Sequence, residues 1–312
     1  MEEANRKGGK MNVIELRNLS KNYGRKAVVE DFSLSLEKGH ICGLIGPNGA
    51  GKTTIMKMMA GLAAQTKGEI AFFGKSDNLD QSRNRMAFML EAPILDKSMN
   101  ARQNMEYVRY VKGVADKKKI DEMLDFVGLH DVGKKKAGKF SLGMTQRLGI
   151  AMALLTEPEI MVLDEPVNGL DPEGIVEIRL MLKKLAEEKN VTIIISSHIL
   201  SELSELCTDF SIINHGRQLE NLSREELMAK CRSYYAIRTN DINRTAAVIE
   251  DKLGTKQYKV IHGDEIRLFD FLDNVEKVSK TITDNGLILT KFISEGESLE
   301  EFYLSKVGAE NE

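Results

Sequence analysis

Apolar positions along this chain fall into two alternating rhythms. Met11 to Leu16 and Ala27 to Leu36 place apolar residues at every second position or in short runs, which predicts two strands separated by the turn-rich Lys21-Asn22-Tyr23-Gly24. His40 to Ile45 is a short apolar run, as in a buried strand, and Lys52 to Ala60 reads as a helix stopped by Gly61. Gly68 to Phe73 and Met86 to Leu90 are again strand-like. Helical spacing then takes over: Met105, Val108 and Val111 mark a helix over 101–112, and Ile120, Met123, Leu124 and Val127 mark another over 117–127. A helical insert over about 95–140 follows from these. A third helix starts near Ser141 and runs to Leu155. The runs Ile160 to Leu163 and Val191 to Ile195 flank a helix over 172–189 and suit strands of a parallel sheet covered on both faces. This alternation predicts an α/β domain with a largely parallel sheet over residues 11–220.

The tail follows different rules. Tyr234 to Thr239 is strand-like, and Asp241 caps a helix whose Ile242, Ala246, Ile249 and Leu253 share a face before Gly254 stops it. Tyr258 to Ile261 and Glu265 to Phe269 flank the turn Gly263-Asp264. Asp273 opens a further helix carrying Val275, Val278 and Ile282. Leu287 to Ile293 is a last strand, and Ser298 with Glu301 forms a capping box. The order β-α-β-β-α-β predicts a small α+β, ferredoxin-like domain over 221–312. It shows no catalytic cluster; regulation or dimer contact is the expected role.

Composition narrows the class. The chain has 312 residues, 42% apolar and 29% charged, with a net charge of −3. These values describe an ordinary soluble domain pair and offer no bulk attraction for nucleic acid. The clusters Lys117-Lys118-Lys119 and Lys134-Lys135-Lys136 read as solvated faces, or as contacts to a membrane surface or an acidic partner. Cys42, Cys207 and Cys231 are scattered, so neither disulfides nor a zinc site is expected. No apolar run reaches the ~18 residues of a membrane span, and no signal peptide is read. The polar residues 1–10 are expected to be a flexible extension.

Two motifs carry chemistry. Gly46-Pro47-Asn48-Gly49-Ala50-Gly51-Lys52-Thr53 fits the phosphate-binding loop G-x-x-x-x-G-K-[ST] between a strand and a helix. Its glycines turn backbone N–H groups inward to cradle phosphate oxygens at a helix N-terminus. Lys52 would neutralise the β- and γ-phosphates, and Thr53, followed by Thr54, would help hold Mg²⁺. Ile160-Met161-Val162-Leu163-Asp164-Glu165 then places two carboxylates at the C-terminal end of a buried strand, where α/β sheets bind ligands. Asp164 suits Mg²⁺, and Glu165 suits a general base acting on water.

With these motifs in order, residues 12 to 220 resemble the ATP-binding subunits of ABC transporters. Phe140-Ser141-Leu142-Gly143-Met144-Thr145-Gln146-Arg147 is similar to the family's signature loop, with Phe140, Leu142 and Met144 departing from its LSGGQ consensus. The resemblance implies that Ser141 and Gly143 reach the γ-phosphate of ATP held by a second subunit. It implies that Asn168-Gly169-Leu170-Asp171 is the loop linking two composite sites. His198, ending Ile195-Ser196-Ser197-His198, would contact the γ-phosphate, and Tyr23 would stack on adenine. Glu91 stands where the family usually has a glutamine, as a candidate Mg²⁺ contact. This Glu and the altered signature resemble the bacitracin-resistance and lantibiotic-immunity branch of exporters.

The resemblance further implies ATP with Mg²⁺, a homodimer or heterodimer of ATPase subunits, and integral membrane permease subunits met by the helical insert at the cytoplasmic face. The chain would then power export of an antimicrobial peptide or similar amphipathic compound. Two alternatives stay open: an ABC-type ATPase working without a membrane partner, and a protein whose interactions are gated by ATP binding alone.

Overall fold

The computed structural model describes residues 12–90, 92–231, 233–261 and 263–309. The opening extension at 1–10 and the Mg²⁺ candidate Glu91 lie outside the described residues. The chain divides into two compact units that meet between Arg224 and Glu225.

In the first unit a nine-stranded sheet forms the centre. In chain order its elements are β1 (Asn12–Tyr23), β2 (Lys26–Glu37), β3 (Ile41–Ile45), α1 (Lys52–Met59), β4 (Lys67–Phe72), α2 (Leu79–Arg83) and β5 (Met86–Met89). The helices α3 (Ala101–Val111), α4 (Lys118–Phe126) and α5 (Leu142–Leu154) follow. Then come β6 (Ile160–Asp164), α6 (Pro172–Lys189), β7 (Thr192–Ser197), α7 (Leu200–Leu206), β8 (Asp209–Asn214) and β9 (Arg217–Ser223). The strand order is β4-β1-β2-β9-β8-β3-β7-β6-β5.

The sheet is mixed. β8, β3, β7, β6 and β5 are parallel neighbours, and they carry the continuous apolar runs that burial on both faces demands. The β1–β2 hairpin and β4 are antiparallel, as is the β8–β9 pair. The hairpin strands run to twelve residues each and turn only at Gly24, so Lys21 to Tyr23 belong to β1 and not to a turn. Polar residues on the solvent side of such a strand look like turn residues in sequence. The main core joins the hairpin to α1: Leu16, Phe32, Leu34, Ile55, Met56 and Met59 are all buried in it. The methionines of α1 fill this space because an unbranched thioether adapts to irregular gaps.

The helical insert is held at its entry by Asn100, whose side chain accepts from Gln103 N while Gln103 returns a bond to Asn100 N. Ser141 caps α5 by accepting from Met144 N at 3.2 Å.

The second unit opens with α8 (Arg224–Lys230), whose first residue closes the first unit. It contains β10 (Ser233–Thr239), α9 (Ile242–Val248), β11 (Tyr258–Ile261), β12 (Glu265–Leu268), α10 (Val275–Asp284), β13 (Leu289–Gly296) and α11 (Leu299–Ala309). Its sheet runs β11-β12-β10-β13, antiparallel throughout, which is the ferredoxin-like arrangement. Ile237, Ile249, Ile266, Leu268, Val278 and Ile282 form its core. The cap of α10 is Asn274, one residue beyond Asp273: its side chain accepts from Lys277 N at 3.1 Å.

Candidate active site

The loop leaving β3 is shaped by close approach. A Cβ on Gly46 would stand 2.2 Å from the Ile213 carbonyl oxygen, so no side chain fits there. Gly51, the N-cap residue just before α1, has φ 109°, a conformation that L side chains rarely adopt. Together they bring the backbone round to the helix N-terminus. No acidic residue occupies the first turn of α1, so its unsatisfied N–H groups and positive dipole end are left for an anion.

Lys52 is only 5% exposed. Its ammonium donates to the carbonyls of Gly46 at 2.6 Å and Pro47 at 3.2 Å, and lies 3.8 Å from Glu165 Oε1. Burial pushes its pKa below the ordinary lysine value, while the charges of Glu165 and Asp164 pull it back up. Thr53 donates from Oγ1 to Asp164 Oδ2 at 2.6 Å. Ser196, fully buried in β7, donates to the other oxygen, Asp164 Oδ1, at 2.5 Å, and accepts the Glu165 N–H at 2.9 Å.

Glu165 adopts φ 50°, an uncommon backbone state for a residue with a side chain. Its Oε2 pairs with His198 Nδ1 at 2.8 Å, and its Oε1 is buried with no hydrogen-bond partner. A buried acceptor left free beside a lysine marks a place where a water or ligand proton is expected.

Part of this set lines a cleft of about 450 Å³. Asn48, Gly49, Ala50, Gly51, Lys52, Thr53 and Thr54 face it from the loop, and Asp164 and Glu165 from β6. Val28, Gln146 and Asn168 also face it. By resemblance the sequence places Asn168 in the loop linking two composite sites and Gln146 in the signature loop, and it gives Val28 no role. Val28 reads as a core strand residue, and only the hairpin's fold over the loop brings it there. Gln146 and Asn168 were visible as members of motifs, but with no indication of which way they point.

The remaining candidates lie elsewhere. Ser141 and Gly143 border a second cleft of about 440 Å³, with Gly169, Leu170 and Asp171. Asp171 caps α6, accepting from Gly174 N at 3.0 Å. Tyr23 is 52% exposed at the end of β1, with the Lys21 ammonium 4.8 Å from its ring centre, and it does not line the phosphate cleft.

The donor set suits Mg²⁺, which takes hard oxygens, usually one or two carboxylates completed by water and substrate phosphates. Among the described residues no cluster of three or more His, Cys, Asp or Glu could hold a metal, so a dedicated protein cage is not what the cleft provides.

A phosphate loop facing a carboxylate pair across a parallel sheet defines a nucleotide-hydrolysing cassette, and comparison with known proteins gives its family. The ABC transporter family model matches residues 29–168. The bacitracin transport ATP-binding protein BcrA of Bacillus licheniformis is 38% identical over 298 residues, covering 95% of this chain and 97% of that protein. The lantibiotic transport ATP-binding protein SrtF of Streptococcus pyogenes is 41% identical over 205 residues, covering 66% and 88%. A solved structure of the ATP-binding subunit of an ABC transporter is 27% identical, with TM-score 0.62, covering 70% of this chain and 92% of that one. The fold is also that of a dimeric ATP-binding cassette bound to ADP and Pi, 24% identical, TM-score 0.59, covering 68% and 98%. The chain belongs to the ATP-binding subunits of ABC transporters, a family that binds and hydrolyses ATP.

Proposed function

We propose that this chain is the ATP-hydrolysing subunit of an exporter for bacitracin or a similar amphipathic antimicrobial peptide. The BcrA likeness spans both units of the chain, whereas the SrtF likeness covers two thirds of it, which favours the bacitracin type. Among the described residues no helix is long and apolar enough to cross a membrane. Transport in this reading therefore needs separate permease subunits, met at the cytoplasmic face of the membrane. The exposed Tyr107, Tyr110 and Val111 share one face of α3 in the insert and suit such a contact.

In the proposed reaction the loop amides and Lys52 hold the β- and γ-phosphates. Glu165 Oε1 takes a proton from the attacking water, and His198 fixes the carboxylate through Oε2. Thr53 and Asp164 would hold Mg²⁺, with Glu91 as a further candidate, and the ion would neutralise phosphate charge.

Two copies are proposed to stack head to tail around two ATP molecules. In support, Ser141 and Gly143 border a cleft other than the one the phosphate loop lines, with Leu142 between them facing both, and a second copy is proposed to bring them to the γ-phosphate. Tyr23 is proposed to stack on adenine, and Asp171 to join the two sites. ATP binding closes the pair, and hydrolysis reopens it.

The observation that carries the reading is the Glu165 carboxylate, anchored to His198 at 2.8 Å with its second oxygen free beside Lys52. The experiment is Glu165→Gln, assayed for phosphate release and, with the permease, for protection of cells against bacitracin. Turnover is expected to fall at least ~10²-fold, the scale of acid–base catalysis, and protection to disappear. Turnover near wild type defeats the general-base role. Protection that survives lost turnover defeats the export role.

A further inference from the structure

Two adjacent residues on a strand point to opposite sides of a sheet. Asp164 and Glu165 are adjacent, yet both line the phosphate cleft. The exception arises at Glu165, whose left-handed backbone, φ 50°, ends the alternation and turns its side chain to the same side. Such a conformation persists in a residue with a side chain only where its surroundings hold it.

Ser196 supplies part of that hold. It stands opposite Asp164 in the parallel register of β6 and β7, so sheet pairing fixes its reach. Its hydroxyl has one proton to give and lone pairs to accept with. The proton goes to Asp164 Oδ1 at 2.5 Å, and a lone pair takes the Glu165 N–H at 2.9 Å. Thr53 binds the other Asp164 oxygen, so the carboxylate is clamped from both sides by neutral donors that leave its charge intact.

The geometry points to Ser196 as a positioning residue for hydrolysis: one buried hydroxyl aims the Asp164 carboxylate and fixes the backbone turn that brings Glu165 into the cleft. This rests on the reading of Glu165 as the general base. Ser196 does not line the cleft and acts through its two neighbours. The phosphate grip is a separate structure, made by the loop amides and Lys52. Removing the hydroxyl should therefore slow the chemical step and spare the part of nucleotide binding that does not pass through Mg²⁺ and Asp164.

The test compares Ser196→Ala with Ser211→Ala in the full chain. Ser211 is also fully buried and hydrogen-bonded, to Gln218 Nε2 at 2.9 Å, but it sits in β8 away from the cleft lining. Measured are kcat for ATP, and the Kd of a fluorescent ATP analogue without Mg²⁺. Ser196→Ala is expected to lower kcat about tenfold or more, on the way to the ~10²-fold of a group displaced by 1 Å, with that Kd little changed. Ser211→Ala is expected to leave kcat near wild type. The inference is overturned if Ser196→Ala keeps wild-type kcat, if kcat and affinity fall together, or if Ser211→Ala loses as much. Should Ser196→Ala not fold, Ser196→Thr, which keeps the hydroxyl, must retain most of kcat; its loss overturns the inference equally. Glu165→Gln is run in parallel. Wild-type turnover there removes the general base itself, whereas a silent Ser196→Ala removes only the role of the serine.

Discussion

Lys52 shows how burial and charge compete at a single residue. Its ammonium is desolvated, which lowers its pKa, and two carboxylates partly restore it. Phosphate binding needs the charged form. Affinity for ATP should therefore be full at neutral pH and decline as pH rises through the lowered Lys52 value, earlier than an ordinary lysine near 10.5 would allow. Titrating ATP at a series of alkaline pH values checks this; affinity that holds flat up to the ordinary lysine range contradicts it. The sequence made Lys52 and Thr53 legible because they belong to one contiguous motif whose spacing is itself the chemistry. Ser196 sits in the motif Ile195-Ser196-Ser197-His198, which by itself gives it no role. Its importance comes from register with Asp164 across two strands, and spacing along the chain does not encode register.

At the scale of elements, the second unit holds an unusual group. Glu265 opens β12 and is 5% exposed, among Arg238 at 3.0 Å, Lys291 at 3.1 Å and Arg267 at 3.8 Å. Burial works to raise its pKa, but hydrogen bonds from Lys291 and Arg238 hold it below the usual 4.5. A carboxylate depressed in the folded state adds stability above its unfolded pKa and loses it as pH falls through the folded value. Glu265→Gln should therefore cost about 1.5 kcal/mol at neutral pH, the low end for bonds to charged groups because Arg238 is half exposed and rehydrates. The penalty should vanish in acid below the depressed pKa. Denaturant melts of both proteins across that range measure it, and a penalty independent of pH would exclude the charge as its source. The helices and strands of this unit were legible from caps and stop signals at Asp241, Gly254 and Ser298. The antiparallel strands β1, β2 and β4 are all legible as strands, except that the end of β1, Lys21 to Tyr23, reads as a turn because its polar residues break the strand pattern. The sequence pattern does not mark α7, β8 or β9: only Cys207 and Thr208 separate α7 from β8, and no turn signal divides them.

Across the whole molecule, every residue proposed to bind or cut ATP lies in the first unit, while the BcrA likeness extends through the second. Neither cleft of the first unit alone combines the phosphate loop with Ser141 and Gly143. The proposed C₂ pair of copies would resolve this, since the same two patches would then complete each other twice. The most direct measurement mixes two inactive variants, Lys52→Ala and Ser141→Arg, in equal amounts and records phosphate release. A mixed pair holds one site with both defects and one with neither, so activity should return to about a quarter of wild type when copies exchange at random. A mixture no more active than either variant alone would contradict the shared site.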